Sequence, residues 1–174
     1  MLTINDMVER KVIIDTGPLL LLAFFKFRNG SLLPKVNPGI PKPDLKNVVT
    51  ILEKYISSMR SVYTTPHVIS EFHAIAERRA KLKENEMIKF LGGFIEVLSK
   101  IEEVYVEKEE ILKSKNTWKF CFTDLSILIA AMNYDIPILS FDGPLIGYCR
   151  KNKIKAIHPY YDLYLSGIQH PRDP

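Results

Sequence analysis

The feature that most limits how this chain can fold is the run KVIID at Lys11 to Asp15, closed at once by Thr16, Gly17 and Pro18. A β-branched run of that length between turn residues reads as a buried strand, which leaves Asp15 at the strand's carboxyl end. Pro18 has no place inside a central strand but suits the first turn of a helix, so the apolar run Leu19 to Phe25 is expected to be a short buried helix. The alternation continues downstream. SVYTT at Ser61 to Thr65 leads into Pro66 and a helical stretch that Thr65 is placed to cap; IPILSF at Ile136 to Phe141 ends at Asp142, and Lys153 to Ile157 supplies a last strand. Strands alternating with helices predict an α/β fold, a single domain over residues 1–174 with a mostly parallel central sheet flanked by helices on both faces.

The connecting stretches are read in the same way. Apolar residues from Leu45 to Met59 fall at helical spacing with Asp44 as N-cap. A further helix is expected from Glu84 to Ile101, then a strand Glu103 to Glu107, a short helix Lys108 to Ser114, and a helix Asp124 to Met132 capped by Thr123. Trp118 is expected to pack under that last helix. The segment Phe27 to Pro43 holds four of the eleven prolines and two of the eight glycines, so it reads as a long irregular insertion that contacts substrate or partner. The longest apolar stretch, Leu19 to Phe25, is seven residues, whereas a membrane span needs about twenty. The opening MLTINDMVERK is too polar for a signal peptide, so the chain is expected to be cytoplasmic. Cys121 and Cys149 lack the spacing of a zinc site and are expected to be reduced thiols.

Four acids stand where ligands bind in open parallel sheets, outside the carboxyl ends of the strands. Asp15 and Asp142 follow strands, while Glu71 and Asp124 occupy early turns of helices that start near the same edge. Singly, each is an ordinary turn or helix-end charge. In combination, VIIDTGPLL at Val12 to Leu20, TPHVISEF at Thr65 to Phe72, TDLSILIAA at Thr123 to Ala131 and ILSFDGPL at Ile138 to Leu145 resemble, in order and in context, the PIN-domain family of metal-dependent nucleases. The resemblance runs from about Lys11 to Pro159. It implies that Asp15, Glu71, Asp124 and Asp142 are the family's acidic quartet, catalytic and metal-ligating, with Thr16 and Ser140 at its accompanying hydroxyl positions. Ser140 stands where Thr is more usual. It also implies Mg²⁺ or Mn²⁺ as cofactor and RNA hydrolysis to a 5′ phosphate and a 3′ hydroxyl. Chemistry gives an independent reason for such a cluster: crowded carboxylates repel one another, and a hard dication with oxygen ligands relieves the repulsion.

The net charge is +4; setting the four acids aside leaves 24 basic against 16 acidic side chains, a surround that suits a phosphodiester polymer. Lys26 and Arg28 beside the insertion, and Arg150 and Lys151 beyond Asp142, are the candidate RNA contacts. Tyr148, Tyr160, Tyr161 and Tyr164 are candidates for stacking on bases, with core packing as the alternative, and His67 shares a helix face with Glu71. His158 has no constellation around it.

Rival chemistries fail on their motifs. A haloacid-dehalogenase phosphatase needs a second Asp where Gly17 stands, and there is no GxxxxGK[ST], GxGxxG or GxSxG. Within the family resemblance three roles remain open: a VapC-type toxin with a small antitoxin partner, an RNA-processing nuclease, and a non-catalytic PIN-like module that binds RNA or protein. Dimerisation is common in that family, so a homodimer belongs to the same expectation.

Overall fold

A computed structural model of the chain describes residues 10–28, 39–80 and 83–169. Its first strand, β1 (Lys11–Ile14), has Val12, Ile13 and Ile14 completely buried. Successive strand residues point to opposite faces. Burial of three in a row therefore requires that both faces of the sheet be covered, and the continuous apolar run of the sequence is explained by that cover.

Helix α1 (Thr16–Arg28) follows, and after it α2 (Lys42–Ser57), β2 (Ser61–Thr64), α3 (Pro66–Ala80), α4 (Glu84–Leu98), β3 (Glu102–Glu103) and α5 (Lys108–Lys113). The chain continues through α6 (Phe122–Tyr134), β4 (Ile138–Leu139), α7 (Gly143–Lys151), β5 (Ala156–Ile157), a π-helical segment Pro159–Leu165 and α8 (Ser166–Gln169). The five strands lie in the order β3-β2-β1-β4-β5, every pair parallel. The α/β expectation holds, with an entirely parallel sheet in place of a mostly parallel one. The order also sets β1 and β4 side by side although they are far apart in sequence, and the crevice beyond their carboxyl ends is the sheet's switch point.

Several elements differ from the sequence reading. Three strands are short: β4 spans only Ile138–Leu139, and β3 and β5 are likewise two residues long. Helix α1 continues past Phe25 to Arg28, so the insertion begins later than its composition suggests. Most of it, residues 29–38, lies outside the described residues. Helix α2 has Pro41 at its N-cap, and Asp44, expected there, sits inside the first turn. At α6 the cap is Cys121, whose Sγ accepts a hydrogen bond from the Asp124 N–H, while Thr123 falls within the helix.

The core beside β1 and β2 is aromatic. Phe24 stacks on Phe90 at 4.5 Å between ring centres, and Phe72 on Phe94 at 3.5 Å. These contacts tie α1, α3 and α4 together on one side of the sheet. Among the described residues, no helix is long and apolar enough to cross a membrane.

Candidate functional site

Asp15 stands directly after β1 and is 7% exposed. Its Oδ2 accepts a hydrogen bond from Ser140 Oγ at 2.5 Å, and its Oδ1 accepts one from the Thr16 N–H at 2.6 Å. Ser140 follows β4, so this bond closes the crevice between the two strands at the switch point. The same Ser140 oxygen accepts the Asp142 N–H at 2.9 Å, and Asp142 Oδ1 accepts the Leu145 N–H at 2.8 Å, capping α7. One hydroxyl thus fixes two of the four acids.

Glu71 comes in from the second turn of α3. Its Oε2 accepts a hydrogen bond from Thr16 Oγ1 at 2.7 Å, so Thr16 serves Asp15 through its backbone and Glu71 through its side chain. Asp124 lies in the first turn of α6, and this helix start is pinned to the start of α3 by a hydroxyl chain. Ser126 Oγ donates to the Thr123 carbonyl at 2.7 Å and lies 2.8 Å from Thr65 Oγ1, which in turn accepts the Val68 N–H at 3.4 Å. The cap expected from Thr65 is present. Ser126 was not singled out from the sequence, although a serine within the apolar run Leu125 to Ala131 is a legible sign of a buried hydroxyl contact.

The electrostatics follow from this crowding. Burial pushes the Asp15 carboxyl up from 3.8 to about 6, against the lowering effect of its two hydrogen bonds, and the charges of Asp124 and Glu71 raise it further. Burial also raises Asp124, with added repulsion from Asp142 and Glu71. Four acids from four separate elements therefore share one electrostatic neighbourhood, as their order in the sequence suggests. All their donors are oxygens, which suits a hard dication. Among the described residues, however, no three His, Cys, Asp or Glu side chains are arranged to hold an ion, and Ser140 and Thr16 engage the oxygens of Asp15 and Glu71.

The basic candidates fare differently. Helix α1 leaves Asp15 and runs back along the sheet for thirteen residues, about 20 Å at the rise of an α-helix. Lys26, near its end, lines a cavity of about 640 Å³ together with Arg60, which leads into β2, and Ile101, which leads into β3. Lys26 is therefore at the amino edge of the sheet, opposite the acids. Arg28 ends the same helix, and its side chain lies outside the described residues. Arg150 is paired with Asp162 at 2.6 Å, and exposed Lys151 is the last residue of α7, the helix that starts beyond Asp142. None of the four is brought to the acids by its element.

The aromatic candidates also separate. The Tyr160 and Tyr164 hydroxyls donate to Asp44, and the Tyr148 hydroxyl accepts a hydrogen bond from Asn116 Nδ2, so these three have internal partners; Tyr161 is exposed. Trp118, expected under a helix, is 83% exposed. His158 is buried and its Nδ1 accepts the N–H groups of Tyr160 and Tyr161, a capping role the sequence reading missed. His67 is partly buried, and its Nδ1 has no hydrogen-bond partner. Cys121 is exposed and Cys149 buried, both free; burial raises both thiols, Cys149 to about 11, so neither is a ready thiolate.

No family model matches the sequence, and no curated protein matches it either.

Proposed function

We propose that this chain is a metal-dependent endoribonuclease, hydrolysing RNA phosphodiester bonds at the carboxyl edge of its sheet. The observation that carries the reading is the buried Asp15 at the β1/β4 switch point, held by Ser140 and Thr16 within the field of Glu71 and Asp124. A buried carboxylate among other carboxylates is electrostatically costly, and such cost recurs at functional sites. Asp15, Glu71, Asp124 and Asp142 would hold Mg²⁺ or Mn²⁺, whose chemistry when bound is to lower the pKa of a water and to screen the charge of the phosphate.

The chain's own groups have definite parts in this reading. Ser140 orients Asp15 and the Asp142 backbone together, and Thr16 orients Asp15 and Glu71. Asp15, with its raised pKa, holds a proton below about pH 6 and releases it above. The resemblance to PIN-domain nucleases supports the same reading, either as a VapC-type toxin paired with a small antitoxin or as an RNA-processing nuclease, acting as a monomer or homodimer. One observation favours a second reading, a non-catalytic PIN-like module binding RNA or protein: among the described residues no three acids are arranged to hold an ion.

Cleavage of a labelled single-stranded RNA with Mg²⁺ or Mn²⁺ separates the two. Loss of cleavage with EDTA and in Asp15→Asn supports the nuclease. RNA binding without cleavage across metals and substrates supports the module, and EDTA-resistant cleavage in Asp15→Asn discards the site.

A further inference from the structure

The chain's single tryptophan, Trp118, is 83% exposed, and Phe122, four residues on, is 54% exposed. A lone exposed aromatic is unremarkable. Here, however, the backbone that presents Trp118 is firmly held. Phe120 is buried and meets Tyr148 edge-on at 5.0 Å, and Asn116 Nδ2 donates to the Tyr148 hydroxyl at 2.8 Å. The Lys119 ammonium lies 4.9 Å from the Tyr148 ring centre and 5.3 Å from that of Phe120. Turn bonds from Thr117 N–H to Ser114 O, and from Lys119 and Phe120 N–H to Asn116 O, fix the segment between them. With Phe120 taking the inward position and Asn116 bound to Tyr148, Trp118 is held out toward solvent.

The charge and the location of this segment are informative as well. From Lys113 to Thr123 there are three lysines and no acid, and Lys113, Lys115 and Lys119 are all exposed. The segment then runs through Cys121, the cap of α6, straight into Asp124. A solvent-facing indole on a firmly held backbone with cationic neighbours, joined to the acidic edge, combines the two elements by which proteins grip single strands without sequence preference: a stacking surface for bases and positive charge for phosphates.

We propose that residues 113–122 form a platform for single-stranded RNA, on which Trp118 stacks an unpaired base and Lys115 and Lys119 contact the adjoining phosphates, leading the strand to the acidic edge. The proposal rests on the ribonuclease reading for its direction, but its test does not need cleavage. Because Trp118 is the only tryptophan, emission excited at the red edge, where the eight tyrosines do not absorb, reports this position alone.

Asp15→Asn protein in EDTA is titrated with a short single-stranded oligouridine, with the same length of duplex RNA, and with inorganic polyphosphate. The expected result is quenching by the single strand, little by the duplex, whose bases are already stacked, and none by polyphosphate, which has charge but no bases. Trp118→Ala should weaken single-strand binding, followed by anisotropy, roughly five- to a hundredfold, the range of one stacked base. Trp118→Phe should restore most of the loss. An exposed side chain is not needed for folding, and an unchanged thermal melt of both variants checks this.

Emission that ignores single-stranded RNA, or Trp118→Ala that binds it like the parent, overturns the platform and leaves Trp118 as an anchor for a protein partner. Quenching by polyphosphate equal to that by RNA overturns the stacking role. If wild type cuts RNA while Trp118→Ala both binds and cuts as well as wild type, the platform fails and the nuclease stands. If Trp118 is quenched and its loss weakens binding but wild type never cuts, the nuclease fails and the platform stands.

Discussion

Asp15 and Asp44 each accept two hydrogen bonds from the rest of the chain. Asp15 takes the Ser140 hydroxyl and the Thr16 N–H; Asp44 takes the hydroxyls of Tyr160 at 2.9 Å and Tyr164 at 3.0 Å. Their surroundings differ in one respect. Asp15 is buried with other carboxylates as neighbours, whereas Asp44 is half-buried in the first turn of α2, where a helix start favours negative charge. At Asp44 the hydrogen bonds fasten the π-helical segment to α2, and the bond to Asp44 in turn raises the Tyr160 hydroxyl. At Asp15 the hydrogen bonds hold in place a charge that its neighbours oppose. A carboxylate that only staples two elements together belongs to the fold; one kept in place against burial and repulsion marks a candidate site.

The widest gap between them is expected in cleavage. Asp15→Asn, which keeps the shape and removes the charge, should slow single-turnover RNA cleavage in Mn²⁺ on the order of a thousandfold, the scale of losing a key electrostatic group from an active site. Asp44→Asn should leave the rate within about twofold, because Asp44 acts on packing alone. Equal losses in the two variants would mean that Asp15 is structural as well.

The second gap is one of sign. The Asp15 carboxyl lies at about 6 in the folded protein and near 3.8 unfolded, so between these values the folded state binds more protons. Its contribution therefore makes the metal-free protein less stable as pH rises from about 4 to 6, and the penalty is complete above 6. Asp15→Asn should remove it and stabilise the protein at pH 8 by about 1–2 kcal/mol, less than the full shift because the amide offers one acceptor where the carboxylate offered two. Asp44→Asn should destabilise by about 1 kcal/mol through weaker bonds to the two tyrosines. Urea melts in EDTA measure both, and shifts of the same sign would erase the distinction.

This contrast was only half legible in the sequence. Asp15 could be read because an apolar strand ends on it, and the order of the four acids suggested a common edge. Its bond to Ser140 spans 125 residues and exists because β1 and β4 pair, which no local pattern states. Asp44 was read as a helix cap for a sound local reason; the tyrosines that claim it come from the far end of the chain. Lys26 reads as an RNA contact because it lies beside the proline-rich stretch that leaves the helix after Asp15. Three more residues of helix carry it to the opposite edge instead. Trp118 reads as packing under the adjoining helix, but the inward position two residues on is taken by Phe120. Local chemistry survives in the sequence; which side chain wins a shared tertiary position does not.

The Asp44 side of the comparison can be sharpened by taking its donors away singly. Tyr164→Phe should cost about 0.5–1.5 kcal/mol, the net worth of a typical hydrogen bond, and Tyr160→Phe, whose side chain is more exposed, should cost less. Because both bonds end on one carboxylate, the double variant should fall short of or exceed the sum, and repeating each in Asp44→Asn should shrink its effect. Losses near zero in both Phe variants would assign the tyrosines to ring packing, which Phe keeps and in which Tyr160 and Tyr164 stack at 5.7 Å.

The smallest effect concerns the start of the same segment. His158 Nδ1 accepts the Tyr160 and Tyr161 N–H groups, at 3.2 and 3.4 Å, and so must be unprotonated to cap the segment that reaches Asp44. Burial lowers its pKa below the ordinary 6.5, partly offset by the charge of Asp162. A base lowered in the folded state binds fewer protons there than in the unfolded chain, so its contribution to stability is present above pH 6.5 and is lost as pH falls through 6.5 toward the lowered value. Asp15 runs the other way over the same range, gaining stability as it takes up its proton. The two are separated by subtraction. His158→Asn keeps an acceptor at the cap without a titrating group, so the difference between wild type and His158→Asn should open below pH 6.5 and reach about 0.5–1 kcal/mol, the worth of a cap. The same difference measured in the Asp15→Asn background should be close to unchanged, since His158 caps through Tyr160 and Tyr161 while Asp15 is held by Ser140 and Thr16, and the link between them is the edge-on contact of Phe141, next to Ser140, with the His158 ring at 5.5 Å; a changed difference would show that the two regions titrate as one.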